Sequence, residues 1–342
     1  MAGATSPEGL DLDRAGAWLA GALDVEHPDR LTAELLSGGK SNVTYVLRDG
    51  AGREWILRRP PLGDRLPTAH SMPREYKVLR ALDGSDVPVP RAIALCEDED
   101  VIGAPFYVMD RAPGRVIREV ADVDLTPEQA RACSLTLVQT LGRLHAAPYA
   151  ELGLEGFGRP DGYVERQVGR WHDQLQRSRV RELPALDELG RRLAANVPAS
   201  AHASILHGDY RIDNVLLDPA DPGRITAVLD WEMATLGDPL ADLGMLLMYW
   251  GQPGETFASG VHAIMAEPGF LRRDEVVAAY REQTGWALDD LDFHIAFAHF
   301  KLAVIVEGIH ARHLAGQTLG EGFDGIGEIA PVLATRGLEV AP

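Results

Sequence analysis

Short alternating apolar runs fill the first hundred residues, and apolar residues three or four apart dominate the remainder. Alternation marks strands with one buried face, and the longer spacing marks helices. Residues 10–23 carry the helical period. Strands are predicted at 31–36, 43–48 and 53–59, where β-branched and aromatic residues concentrate, with Asp49-Gly50 as the turn between the last two. A helix at 73–82 opens on Pro73, which a first turn tolerates. Strands at 92–96 and 106–109 bring the sheet to five. The stretch from Asp110 to Gly114 contains Pro and Gly and predicts a hinge. Helices are then expected at 127–146, 163–179, 184–195, 240–250, 274–284 and 288–314, before a Gly-rich tail of loop and short helix. The pattern predicts an α+β chain: an N-terminal lobe over 1–110, a hinge at 110–115 and a larger, mainly helical lobe over 111–342.

Two strings in the second lobe carry chemistry. Residues 205–218 read ILHGDYRIDNVLLD, and 229–232 read LDWE. An apolar run, a tight HGD turn, an Asn five positions after the Asp and a second apolar run have the spacing of a kinase catalytic loop. Phosphoryl transfer asks for positioning and charge neutralisation, so each residue type has a task. Asp209 can orient an acceptor hydroxyl and take its proton. The amide oxygen of Asn214 and the carboxylate of Asp230 suit Mg²⁺, which takes a few protein oxygens and shares the rest with phosphates and water. Asp and Asn are also ordinary turn formers, so no one of these residues carries the argument alone. Their conjunction does. His207 reads as a brace for the loop.

The stretch resembles the aminoglycoside phosphotransferase and choline kinase superfamily, and within it the branch related to the kinase-like domain fused to some acyl-CoA dehydrogenases. The supporting strings are SGGKSNVTYVL, WILRRPP, REYKVLRAL, VPVPRAIALCED, GAPFYVMDRAPGR, HGDYRIDNVLLD and LDWEMATLGDPLADLG, in family order from about Ser37 to Gly244. The resemblance implies a bilobal protein-kinase-like fold, with a five-stranded antiparallel sheet in the small lobe. It implies ATP and Mg²⁺ as cofactors, held between the lobes. It also implies that Met109 and Asp110 at the hinge meet the nucleotide, and that Asp242 holds the catalytic-loop backbone.

Gly39-Lys40-Ser41 ends like a P-loop, but position 34 is Glu and the string runs into a strand rather than a helix, so a P-loop is rejected. Gly38, Gly39, Lys40, Ser41 and Asn42 instead suit a flap whose backbone N–H groups cover nucleotide phosphates. The kinase phosphate clamp pairs a cation on the third strand with a Glu on the next helix, here Arg58 and Glu75. The usual cation is Lys. Arg is longer, always charged and able to grip phosphate bidentately, so the exchange fits either a tolerated clamp or a degenerate nucleotide site. Lys40 offers a second phosphate contact.

Composition is that of an ordinary globular chain, with 46% hydrophobic and 25% charged residues. The net charge of −18 argues against nucleic acid as a partner. Charges interrupt the apolar stretches before 18 residues, so no transmembrane helix is expected, and the absence of a leader pattern predicts a cytoplasmic protein. Cys96 and Cys133 lack metal or redox spacing and read as buried thiols. Only Lys40, Lys77 and Lys301 are lysines among 33 Lys and Arg residues.

Asp238 reads as a helix cap and Glu232 as a candidate for the metal shell. The final helix is apolar with one Glu, and its His294, His299, His310 and His313 are too scattered for a metal site. Arg166, Arg170, Arg177, Arg179 and Arg181 give 163–181 a cationic face, either a solvated surface or an acceptor for an anionic group. The expected acceptor is a small-molecule hydroxyl, and an apolar pocket beside cations fits a hydroxyacyl compound better than an antibiotic; a monomer or homodimer is expected. A nucleotide-binding pseudokinase and a true aminoglycoside kinase remain as alternatives.

Overall fold

The structure is a computed structural model that describes residues 6–23, 30–36, 42–62, 71–255, 260–318, 323 and 325–342. The chain divides into two compact units. Unit 1 runs to Gly114 and takes in Leu152–Leu154 and Thr226–Glu232; unit 2 holds the rest. The LDWE string therefore belongs to unit 1, although it follows the HGD loop in sequence. Its strand is tied there by the Val228 N–H, which donates to Pro88 O at 2.8 Å.

Unit 1 contains α1 (Leu12–Ala22), β1 (Thr32–Leu35), β2 (Val43–Arg48), β3 (Glu54–Arg59), α2 (Met72–Leu82), β4 (Ala92–Cys96), α3 (Glu99–Ile102) and β5 (Phe106–Asp110). The strands form one antiparallel sheet in the order β1-β2-β3-β5-β4. Asp11 caps α1 by accepting the Arg14 N–H at 3.1 Å. The β2–β3 connection is longer than the predicted two-residue turn. Arg48 pairs with Glu54, and Asp49 closes the loop by accepting the N–H groups of Ala51 and Arg53. Its left-handed position is Gly52, at φ 82°, not Gly50.

Strand alternation sorts the sheet into two faces. Tyr45, Leu47, Trp55, Leu57, Phe106 and Val108 pack with Leu12, Ala15 and Leu19 of α1. Arg58 is on the other face, where its cross-strand neighbours are Thr44 and Tyr107. The buried stripe of α2 is Met72, Glu75, Val78, Leu79 and Leu82, the spacing of a helix facing a core. Glu75 is thus a carboxylate in an apolar stripe, and it needs partners.

Unit 2 contains α4 (Pro127–Ala146), α5 (Tyr163–Ser178), α6 (Pro184–Ala195), β6 (Ser204–Leu206), β7 (Val215–Leu217), most of the turn to β8 (Ile225–Val228), β9 (Thr235–Gly237), α7 (Leu240–Tyr249), α8 (Gly260–Met265), α9 (Arg273–Thr284), α10 (Leu291–Leu314) and α11 (Ile329–Val340). A Thr126/Gln129 capping box starts α4. The apolar run before HGD forms β6, which pairs antiparallel with β9, a strand the sequence pattern does not single out, and the two bracket the HGD and LDWE segments in sequence. The tail is more than loop and short helix: α11 buries Ala330, Leu333, Ala334 and Gly337 and packs on α10.

Helix α10 also departs from expectation. Among the described residues it is the one helix long and apolar enough to cross a membrane, with an 18-residue window of mean hydropathy 1.2. Of that window 67% is buried inside the chain, where α10 packs against α5, α6, α7 and α11. Its apolar character is that of a core helix.

Candidate active site

In unit 1, four charged side chains and two polar ones gather on the α2 face of the sheet. Arg58 Nε lies 3.0 Å from Glu75 Oε2, and Arg58 Nη2 donates to Asp230 Oδ1. Glu232 Oε2 stands 4.0 Å from the same guanidinium. Tyr107 Oη donates to Glu75 Oε2 at 3.0 Å, and Asn42 Nδ2 donates to Glu75 Oε1 at 2.6 Å and to Glu232 Oε2 at 3.2 Å. Burial opposes the Arg58 charge, yet Tyr107, Glu75 and Asp230 outweigh it and raise its pKa. Burial pushes the Glu75 carboxyl up to about 7, against the pull of Arg58 and the Tyr107 hydroxyl, with Asp230 and Glu232 adding to the rise. The adjacent Arg59 faces the other way, donating to the carbonyls of Ile102, at 3.1 Å, and Gly9.

Asp230 adopts φ 64°, the one left-handed residue other than glycine among the described residues. Asp tolerates this region better than most residues, but it remains a strained choice of the kind found at functional sites.

In unit 2, the HGD turn is held by side chains from outside it. Asp242 of α7 accepts the His207 N–H at 2.6 Å and the Gly208 N–H at 2.9 Å. Burial raises the Asp242 carboxyl, but His145, His207 and these N–H groups hold it below its ordinary value. His145 completes that support, with Nε2 3.4 Å from Asp242 and Nδ1 2.6 Å from Tyr280 Oη. His207 Nδ1 accepts the Asp209 N–H at 3.3 Å, so this imidazole braces the loop. Gly208 has φ 86°, and a Cβ there would meet Met233 O at 2.7 Å. Only glycine fits.

Asp209 emerges from this turn with 35% of its side chain exposed, 3.2 Å from Arg211 Nε. Arg211 also pairs with Asp213 at 3.2 Å and lies over the Tyr249 ring. Asn214 Nδ2 donates to Asp209 O at 2.8 Å and to Asp209 Oδ2 at 3.2 Å, which leaves Asn214 Oδ1 as the amide atom for a cation. Asp230 keeps Oδ2 clear of its Arg58 contact. Each of these oxygens, within its own unit, is of a kind that magnesium accepts beside phosphate oxygens and water. Among the described residues no group of three or more His, Cys, Asp or Glu is arranged to hold a metal ion.

A model of the phosphotransferase enzyme family matches residues 32–293, more than half of the chain. The chain belongs to the phosphotransferase enzyme family. Among its relatives is acyl-CoA dehydrogenase family member 11 of Gallus gallus, 35% identical over 91% of this chain and 40% of that protein. The chain thus spans less than half the length of this curated relative. A solved Ralstonia eutropha structure, named as a candidate aminoglycoside phosphotransferase, is 33% identical with a TM-score of 0.82, covering 97% of this chain and 98% of that one. Amicoumacin kinase, solved with AMP-PNP and Ca²⁺, has a TM-score of 0.61 at 15% identity, covers 95% of this chain and 93% of its own, and shows the fold alone. The kinase-like α+β fold and the branch read from the sequence both stand.

The structure describes some of the residues expected in the flap and hinge. Gly38, Gly39, Lys40 and Ser41 lie outside the described residues. The Asn42 side chain is buried against Glu75 and Glu232 rather than presented to a ligand. Met109 is buried in the sheet, and the Asp110 carboxylate pairs with Arg91 at 2.8 Å. Of the arginine face, Arg166, Arg170 and Arg177 are exposed, and Arg179 and Arg181 are half-buried. Arg181 pairs with the buried Glu307 at 2.7 Å, Arg179 pairs with Asp187, Arg177 donates to Gln174 at 3.0 Å, and Arg166 donates to the carbonyls of Asp161 and Arg159. Arg170 alone of the five lines a cavity of about 210 Å³, with Trp171, Gln174, Val304, Ile305 and Arg312. Asp238 accepts the Leu240 N–H at 2.9 Å, as a cap does. The sequence reading assigned nothing to Arg211, Tyr107 or Lys301, although the scarcity of lysine already set Lys301 apart.

Proposed function

We propose that the chain is an ATP-dependent kinase that phosphorylates a hydroxyl of a small molecule. The observation that carries this reading is the double hold of Asn214 on Asp209, in a turn whose backbone is fixed by Asp242. A carboxylate so held can orient one acceptor hydroxyl. As the acceptor oxygen bonds the γ-phosphorus, the bond from phosphorus to the β–γ bridging oxygen breaks and ADP leaves. The hydroxyl proton passes to Asp209. Asn214 and Asp230 are the residues that suit magnesium, which when bound neutralises phosphate charge. Arg58, kept charged by Glu75 and Asp230, is the phosphate cation of unit 1.

The acceptor is better read as an anionic or neutral amphiphile, such as a hydroxyacyl compound, than as a polycation. The cavity in unit 2 has two arginines and apolar walls and no carboxylate among its lining residues. An ATP-consumption screen across amino sugars, hydroxy acids and hydroxyacyl thioesters tests the assignment. Turnover confined to polycations would overturn the acceptor reading, and no Mg²⁺-dependent ATP binding by calorimetry would overturn the kinase reading. The Arg58–Asp230 contact favours a second reading, a nucleotide binder without turnover, because this cation occupies a carboxylate that suits the metal. Tight ATP binding insensitive to Mg²⁺, with no consumption in the screen, would select it.

A further inference from the structure

Lys301 stands on α10, in a chain whose cations are nearly all arginine. Its Nζ donates to the carbonyl of Gly208 at 3.4 Å and lies 5.8 Å from the centre of the Trp171 ring on α5. The charged groups facing it are Asp209 of the loop and Asp242 of α7, which favour the ammonium, and Arg170 of α5, which opposes it. Burial works against the charge and lowers the lysine pKa. A buried ammonium is costly unless its hydrogen bonds and counter-charges are supplied, and an apolar chain of similar length would fill the same space at less cost. The charge therefore calls for a reason.

The backbone supplies one. The Gly208 carbonyl and the Asp209 N–H belong to the same peptide unit. Lys301 holds its oxygen, and His207 Nδ1 accepts from its nitrogen. The two preceding N–H groups go to Asp242. Lys301 thus supplies a cation at the Gly208 carbonyl, one residue before the Asp209 carbonyl that the Asn214 amide holds. We propose that Lys301 is a positioning residue for Asp209: its ammonium grips the peptide that carries the base and attracts the carboxylate, so that the base keeps one orientation. The catalytic part rests on the reading of Asp209 as base; the pairing of Lys301 with Asp209 does not.

A consequence is loss of turnover at alkaline pH as Lys301 deprotonates. Because folding lowers this pKa, the folded chain binds fewer protons than the unfolded one between the lowered value and the ordinary lysine value. Through this group stability then rises with pH in that window. An activity loss there is not unfolding driven by Lys301.

Three lysines make the pairing directly measurable. In protein labelled with ¹³C-lysine, the Lys301 signal is the one lost in Lys301→Arg. Its titration midpoint should lie lowest of the three and fall further in Asp209→Asn, which removes an attracting charge. Hydrolysis of Mg·ATP with water as acceptor reads the catalytic part. Lys301→Met should lower kcat about 10- to 100-fold, the scale of a displaced catalytic group, with KM for Mg·ATP within about twofold. Lys301→Arg, which does not titrate, should keep more turnover than Lys301→Met and lose the alkaline limb. A Lys301 midpoint unmoved by Asp209→Asn would overturn the pairing. An unchanged kcat and pH profile in folded Lys301→Met would overturn the positioning role. ATP hydrolysis indifferent to Asp209→Asn, with the midpoint shift intact, would overturn the base reading and leave the pairing standing.

Discussion

Both units gather charge, but they hold it in opposite ways. In unit 1 the charged groups hold one another. Arg58 and Glu75 are buried, and each depends on the other and on Asp230, Tyr107 and Asn42. In unit 2 the backbone of the HGD turn is held by Asp242, His207 and Lys301, and Asp209, the proposed base, keeps a third of its side chain exposed beside Arg211 and Asn214. The lesson is that changing a charge in unit 1 should disturb the fold as well as any ligand contact, whereas the proposed base of unit 2 should be alterable with the scaffold intact.

The largest effect should come from Asp209→Asn. It preserves shape and removes the proton acceptor, so transfer should fall by about 10²–10⁴ while ATP still binds and the melting temperature stays near that of wild type. Steady-state kinetics with calorimetry and thermal melts check this. A loss below about tenfold would remove Asp209 from the role of base, and a large drop in stability would erase the contrast between the units.

Arg58→Ala is the matching test in unit 1, and here both quantities should move. ATP affinity or turnover should fall at least about tenfold, the scale of a charge-assisted contact of roughly 1.5–3 kcal/mol. Stability should fall too, by up to about 3–5 kcal/mol, because Glu75 is left buried without its cation. Glu75 can take a proton, so the destabilisation should be smaller at pH 6 than at pH 8. Urea melts at both values check the sign.

Glu75→Gln sharpens the same point through pH. The Glu75 carboxyl titrates near 7 in the folded chain against an ordinary value of 4.5. Its contribution to stability is therefore fully present below the ordinary value and is lost as pH rises through about 7. Glutamine removes that dependence, so the variant should gain on wild type between pH 5 and pH 8. A difference independent of pH would place the titration elsewhere.

Asp110→Ala should do least. Its pair with Arg91 is exposed on both sides, and such pairs contribute little, so the melting temperature should shift by less than about 2 °C. A large fall in ATP affinity would place the Asp110 side chain at the nucleotide site.

Much of this was legible in the chain itself wherever the constraint is local. The period-2 and period-3.6 patterns located the sheet and the long helices because burial imposes those periods on any half-buried element. The five-residue offset from Asp209 to Asn214 was readable because the amide reaches back across a single turn. The Asp49 loop and the Asp238 cap follow from side chains bonding to backbone a few residues away. Contacts between distant segments were not readable in this way. Strand alternation put Arg58 and Arg59 on opposite faces, but only packing decided which face receives the carboxylate of α2. The arginines of α5 stay at the surface, but the sequence does not show that Glu307, far along the chain, takes up Arg181 on its flank. Lys301 is 93 residues from the carbonyl it holds. Sequence determines period, turn and cap because these are short-range sterics and hydrogen bonding. Tertiary structure decides which charges are buried together, because that depends on which faces meet and on whether each buried charge then finds a partner.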